Sequence, residues 1–360
     1  MNSPSVLIVG NFLSKVVGNR GQCEELATRL RERGTSIVTT SARKNRAVRM
    51  LDMVSTCWAE RRRYDVAQVD VFSGPSFLWA EAVCSTLQGC GKPYVLALRG
   101  GDLPAFARRA TGRVRRLLES ADLVTAPSRY LQSDLSGICR HIEIVPNGLD
   151  ITAYEYRPRP VVTPKLVWLR AFHRIYNPSL AVQVAAELRA SYPETELVMA
   201  GPDKGDGSLE RTKALVAALG LTSAVSFIGR VPKPEISTVI NRGDIFLNTA
   251  DIDNTPVTVL EAMACGACVV STDVGGMPYL LDHGRNALVV PPNDPVAMGR
   301  AVRRILEDGT LSAALSQGAR HAVEQMDWNC ILPKWERVFS ALGCERFRGQ
   351  EFAGPRTPIS

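Results

Sequence analysis

The sequence predicts an α/β protein made of two doubly wound domains facing a cleft. Three observations predict it. Short β-rich apolar runs alternate with segments of helical periodicity, the pattern of parallel sheets wrapped by helices. The alternation is interrupted once, by the proline-rich polar stretch AYEYRPRPVVTPK (153–165), and then restarts. With 360 residues, 45% of them hydrophobic, the chain exceeds one ordinary domain and has apolar material for two cores.

In the first half the expected strands are SVLIVGN (5–11), TSIVTTS (35–41), VAQVDV (66–71), PYVLALR (93–99), LVTAPS (123–128) and IEIVPN (142–147). Between the first two, QCEELATRLRERG places Leu26 and Leu30 on one helix face and charges on the other. The second half offers KLVWLR (165–170), ELVMAG (196–201), VSFIGR (225–230), DIFLNT (244–249), ACVVST (267–272) and NALVV (286–290). Helices are expected at 178–191, 208–219, 295–307 and 311–325. The expected organisation is a first domain over 1–152 and a second over 165–325. An amphipathic helix over 326–342 crosses back onto the first, and a frayed tail over 343–360 follows.

Composition narrows the class. No apolar run approaches the roughly 20 residues that span a bilayer. The opening MNSPSVLIVGNFLSK lacks a basic leader region and reads as a first buried strand. Nine scattered cysteines fit a reducing, cytoplasmic setting. Cys265 and Cys268 spell C-x-x-C but have no second ligand pair, so packing is the expected role and no metal is expected. The formal net charge of +7 is uneven. Arg43, Lys44, Arg46 and Arg49 form one basic group, Arg61, Arg62 and Arg63 a second, and Arg108, Arg109, Arg113, Arg115 and Arg116 a third. Solvated helix faces explain such groups as well as a partner does; no aromatic interleaving accompanies them, so as a partner an anionic membrane surface is expected rather than nucleic acid.

The most informative stretch is DIDNTPVTVLE (251–261). It follows a strand, so it lies where doubly wound sheets hold ligands. Pro256 suits a first helical turn, with Asn254 or Thr255 as its cap. The N–H groups of Val257 and Thr258 would then face an anion. Asp253 in the loop and Glu261 on the helix flank that site. Carboxylates repel phosphate but accept hydroxyl hydrogen bonds, so a nucleotide sugar fits. On spacing alone, helix capping and pairing with arginines explain the two acids equally well.

Here the residues resemble the retaining glycosyltransferases of family 4, which have the GT-B fold of two Rossmann-like domains. The resemblance rests on the acid-x7-acid spacing of Asp253 and Glu261 and on LEAMACGACVVSTDVGG (260–276). ADLVTAPSRYL (121–131), IEIVPNGLD (142–150), VSFIGRVPKPEI (225–236) and NALVVPPND (286–294) add to it. It covers about residues 5–340 and is closer in the second half.

The resemblance implies a donor site in the second domain and an acceptor site in the first. Glu261 would hold the ribose, Asp253 the donor sugar, and the backbone at Asn254, Thr255, Pro256 and Val257 the sugar and diphosphate. The loop at Gly229, Arg230 and Val231 would lie against the base, and Arg170 would grip the diphosphate. Gly18, Gly21, Arg99 and Asp102 would belong to the acceptor side. The sequence departs from the family in four places. Asp253 replaces the usual Glu, and the usual lysine near Arg170 is missing, with Arg174 a nearby substitute. Arg99 stands in place of the histidine of an H-G-x-D element, and Cys268 replaces a proline. The implied reaction transfers a sugar from a nucleotide diphosphate sugar to an acceptor hydroxyl with retention. No metal or other cofactor takes part, Arg170, Arg174 and the helix end carrying the departing charge. Asp102 is a further candidate for handling the acceptor proton. A sugar-nucleotide epimerase, a glucan phosphorylase or synthase, and a catalytically weak nucleotide-sugar-binding subunit share these features.

Overall fold

The computed structural model describes residues 4–14, 20–100, 102–253 and 256–343. The chain divides into two units, 1–148 with 328–360, and 149–327. All twelve expected strands are present, six in each unit.

The first unit holds β1 (Val6–Val9), β2 (Ile37–Thr40), β3 (Val66–Val71), β4 (Tyr94–Leu98), β5 (Leu123–Ala126) and β6 (Ile142–Ile144). They form one parallel sheet in the order β2-β1-β3-β4-β5-β6. Strand side chains alternate between faces, and apolar residues on both faces enter cores, so the runs are mostly apolar. Leu7, Val9, Val69, Val71, Leu96 and Leu98 enter one core. Val6, Ile8, Val66, Val95 and Ala97 enter the other, with Leu26 and Leu30 of the helix Gln22–Glu32. The helix Trp328–Gly343 joins this second core through Trp328, Ile331, Leu332, Trp335, Val338 and Phe339. Their spacing of three and four residues makes a single apolar stripe.

The second unit holds β7 (Lys165–Leu169), β8 (Glu196–Ala200), β9 (Val225–Gly229), β10 (Ile245–Asn248), β11 (Cys268–Thr272) and β12 (Leu288–Val290). Their order is β12-β11-β10-β7-β8-β9, again all parallel. The chain winds outward from β7 through β8 and β9, then returns to the other side of β7 as β10. The neighbours β7 and β10 are therefore the switch point, and the crevice beyond their carboxyl ends is where such sheets bind ligands.

The proline-rich stretch 153–165 is fastened to this unit. Arg159, 1% exposed, donates to the carbonyls of Cys265 and Gly243 and to Asn241. Cys265 and Cys268 are both buried, and burial raises both thiols, Cys268 to about 12. They are packed side chains. No helix among the described residues is long and apolar enough to cross a membrane.

Candidate donor site

The segments after β7 and β10 are knitted together before any ligand is considered. Trp168 Nε1 in β7 donates to Thr249 Oγ1 beyond β10 (2.8 Å), and Thr249 Oγ1 donates to the Tyr176 carbonyl (2.7 Å). The Asp251 amide bonds the Ile175 carbonyl (2.8 Å). Tyr176 in turn lies under the Arg170 guanidinium, 4.4 Å from its ring centre. A stacked guanidinium is fixed in plane.

Arg170 is thereby aimed at Asp253. Its Nη2 donates to Asp253 Oδ2 at 2.5 Å, with the side chains 20% and 7% exposed. Its Nε is buried and has no acceptor among the described residues. Two glycines make room for the pair. A Cβ on Gly201, which has φ +144°, would sit 1.8 Å from the Arg170 carbonyl. A Cβ on Gly275, φ +54°, would sit 1.8 Å from the carbonyl of Asp253, and Gly276 donates its N–H to that carbonyl at 3.1 Å. The glycine pair of VSTDVGG is thus the seat of the Asp253 backbone.

The helix Val257–Ala264 begins one residue later than expected, with Pro256 as its N-cap rather than inside its first turn. No side chain caps it, and the N–H groups of Val257 and Thr258 have no acceptor among the described residues. Its fifth residue, Glu261, is 2% exposed. Glu261 Oε1 accepts from Tyr154 Oη (2.8 Å) and lies 3.7 Å from Lys233 Nζ. Burial pushes the Glu261 carboxyl up, opposed by the Lys233 charge, the Tyr154 hydrogen bond and, more distantly, Arg170. Burial also raises the Tyr154 phenol, which stays a donor.

Around this centre, Gly229 ends β9 and its carbonyl accepts the Gly201 N–H at 2.7 Å. Val231 packs on the core beneath the loop, and Arg230 is exposed. Lys233, two residues on, reaches back to Glu261. Arg174 is exposed, and its amide is tied to Asp206 at 2.9 Å. Asn254 and Thr255 lie outside the described residues, as does Gly18.

Gly21, Arg99 and Asp102 belong to the other unit. Gly21 precedes the helix Gln22–Glu32, and its N–H is taken by Glu24 at 3.2 Å. Arg99 Nε donates to the buried Asp70 (3.0 Å) and Nη1 to Asn147 (2.6 Å). Asp102 is exposed at the start of the helix Leu103–Arg109 and caps nothing with its side chain. Sequence reasoning passed over Tyr154, Tyr176 and Lys233. Only Lys233 carried a signal, as a lone cation in the VPKPE loop after a site strand.

With this geometry in place, residues 159–322 match the family glycosyl transferases group 1. That stretch is less than half of the chain and lies within the second unit. It contains Arg170, Lys233, Asp253 and Glu261. The chain is 26% identical over 257 residues to the D-inositol 3-phosphate glycosyltransferase of Corynebacterium jeikeium, covering 66% of this chain and 61% of that one. It is 28% identical over 240 residues to the GDP-mannose-dependent alpha-(1-6)-phosphatidylinositol monomannoside mannosyltransferase of Mycolicibacterium smegmatis, covering 60% and 61%. The chain thus spans less than two thirds of the length of these relatives. Among solved structures it is similar to sucrose-phosphate synthase from Thermosynechococcus elongatus, with TM-score 0.77, 16% identity, and 94% and 99% of the chains covered. HepE from Anabaena, solved in complex with UDP-glucose, gives TM-score 0.70, 16% identity and coverage of 94% and 100%. The fold is GT-B, and the matched stretch lies in its second Rossmann-like unit.

Proposed function

We propose that the protein is a retaining glycosyltransferase of family 4 that moves a sugar from a nucleotide diphosphate sugar to an acceptor hydroxyl. The carrying observation is the juxtaposition of the Arg170–Asp253 pair, the buried Glu261 and an uncapped helix start at one switch point. The guanidinium of Arg170 and the N–H groups of Val257 and Thr258 supply donors for a diphosphate. Arg174 adds a second positive charge from the loop after β7. Glu261 takes the ribose hydroxyls, Asp253 orients Arg170 and the donor sugar, and Gly229–Val231 lies along the base. HepE's complex with UDP-glucose and the relative described as GDP-mannose-dependent support a donor of this class.

In the chemical step the bond from the anomeric carbon to the diphosphate breaks, and the acceptor oxygen bonds the same face of that carbon. The leaving diphosphate takes the acceptor proton, and Asp102 orients the acceptor. Arg99, held by Asp70 and Asn147, serves as an orienting cation, since a guanidinium is no base at ordinary pH. The protein's contribution is positioning and stabilisation of departing charge. Cationic side chains and the helix end do this without a metal ion. The acceptor is a sugar or lipid-linked sugar of a cell-surface polysaccharide or glycolipid, reached in the cytoplasm at the inner membrane surface. The relative that acts on a phosphatidylinositol mannoside supports the lipid-linked case.

Thermal shift against UDP-, GDP-, ADP- and dTDP-sugars, followed by product analysis, tests the proposal. One class should stabilise the protein, and an added acceptor should give a product with the donor's anomeric configuration, undiminished by chelator. Isomerised donor without acceptor, or inverted product, would overturn it.

A further inference from the structure

The helix Arg46–Ala59 of the first unit has two apolar faces, and only one of them is used by the fold. Met53 and Cys57 are buried in the core on its inner side. On its outer side Val48 is 47% exposed, Leu51 65% and Trp58 60%. They are spaced by three and seven residues, with Ser55 and the exposed Ala47 and Ala59 completing the stripe. Positions so spaced share one side of a helix.

This stripe is bracketed by two of the three basic groups. Arg43, Lys44 and Arg46 stand at its start and Arg61, Arg62 and Arg63 at its end. The start is built: the buried Arg49 stacks on Trp79 and donates to the carbonyls of Arg43 (2.7 Å) and Lys44 (3.0 Å), fixing the loop that carries the cations. At the end, the Arg61 guanidinium lies 4.3 Å over the Trp58 ring. The segment's two carboxylates are partly buried, Asp52 lying 4.0 Å from Arg43 and Glu60 bonding Arg63. In the third basic group Arg108 pairs with Asp134 and Arg113 with Glu81.

We infer that the helix Arg46–Ala59 lies in the headgroup boundary of an anionic bilayer, with Val48, Leu51 and Trp58 entering the acyl region and the flanking arginines on phosphates. Charge complementarity selects this occupant. An apolar stripe with cationic ends and no unpaired carboxylate on its face matches anionic lipid, and a tryptophan with a stacked arginine suits the polar–apolar boundary. The inference rests on the membrane-surface part of the function proposed above and names the residues that carry it. It adds apolar insertion to electrostatic attraction.

The test is flotation of the full chain with phosphatidylcholine vesicles, with and without phosphatidylglycerol. Wild type should float only with the anionic vesicles. Leu51→Ser and Trp58→Ser should each weaken that partition about tenfold or more, the loss expected from removing one inserted side chain. Arg62→Ser should weaken it less, and only at low salt. Val161→Ser, at an apolar position 81% exposed in the other unit, should change nothing. These positions are exposed, so melting temperatures should match wild type. Absence of any vesicle binding would overturn the membrane reading itself. Wild-type binding by Leu51→Ser and Trp58→Ser would overturn this helix as the docking element and leave that reading standing. Self-association dispersed by Trp58→Ser, without vesicle binding, would overturn both.

Discussion

Arg170 and Asp253 form a 2.5 Å ion pair across the carboxyl ends of β7 and β10, the two neighbours at which the strand order of the second, all-parallel sheet reverses. One residue was expected on the diphosphate and the other on the sugar, yet in the structure each holds the other. The pair sets the guanidinium in place, and a flat ring beneath it removes its remaining freedom.

Asp253→Asn should separate sugar recognition from nucleotide recognition. The amide keeps a hydrogen-bond acceptor for Arg170 but loses the charge, so orientation weakens without collapse. We expect kcat/KM to fall about 100-fold, the scale of one charged hydrogen bond, with affinity for the bare nucleotide diphosphate within about threefold of wild type. Titration calorimetry with the nucleotide alone, beside steady-state kinetics, checks this. Affinity losses equal to those of Glu261→Gln would contradict separate roles for the two acids.

Gly275 should be more sensitive than its exposure implies. A methyl group there meets the Asp253 carbonyl and must displace the backbone of the acid that pairs with Arg170. Gly284 also has positive φ, at +80°, but a Cβ there meets nothing. Gly284→Ala should cost only the backbone penalty, about 1 kcal/mol, and keep activity. Gly275→Ala should lose about 100-fold in kcat/KM, because a displacement near 1 Å is that costly. Equal activities of the two variants, measured at equal folded fraction, would refute the seating role.

Glu261→Gln should make the ligand-free protein more stable while weakening nucleotide binding. Burial raises the Glu261 carboxyl, so the folded state binds its proton more tightly than the unfolded chain does. Stability from this group therefore declines as pH rises from the ordinary carboxylate range through the raised value, and stays lower above it. The glutamine carries no such charge. Melting temperatures of variant and wild type should coincide in acid and diverge toward neutral pH, the variant higher by a few degrees. A variant less stable at neutral pH would show that the Lys233 and Tyr154 contacts outweigh desolvation.

The two acids showed only as a spacing, whereas the strands and the restart of the α/β pattern were legible because each rests on local periodicity. Tyr154 was not, since a tyrosine in a proline-rich stretch gives no sign that its phenol will bond a carboxylate 107 positions away. Tyr176 was hidden for the same reason, its role arising only once Arg170 folds over it. The glycines of VSTDVGG were visible as a pattern, but their task depends on a carbonyl 22 residues earlier. Local periodicity was readable. Chain crossings were not.

Lys233 and Arg174 offer two positive charges near one site, and pH tells their roles apart. Lys233 Nζ lies 3.7 Å from Glu261 and is the leading influence holding that carboxyl down against burial. Arg174 is exposed, with its amide tied to Asp206. If ionised Glu261 holds the ribose, nucleotide affinity falls as pH drops through its titration. Lys233→Ala raises that titration further, so the acid limb of the affinity profile should move to higher pH. Arg174→Ala should lower affinity about tenfold through the diphosphate and leave the acid limb in place. Calorimetric titration with the nucleotide diphosphate across pH measures both. An unmoved acid limb in Lys233→Ala would detach Lys233 from Glu261, and full affinity in Arg174→Ala would remove Arg174 from the donor grip.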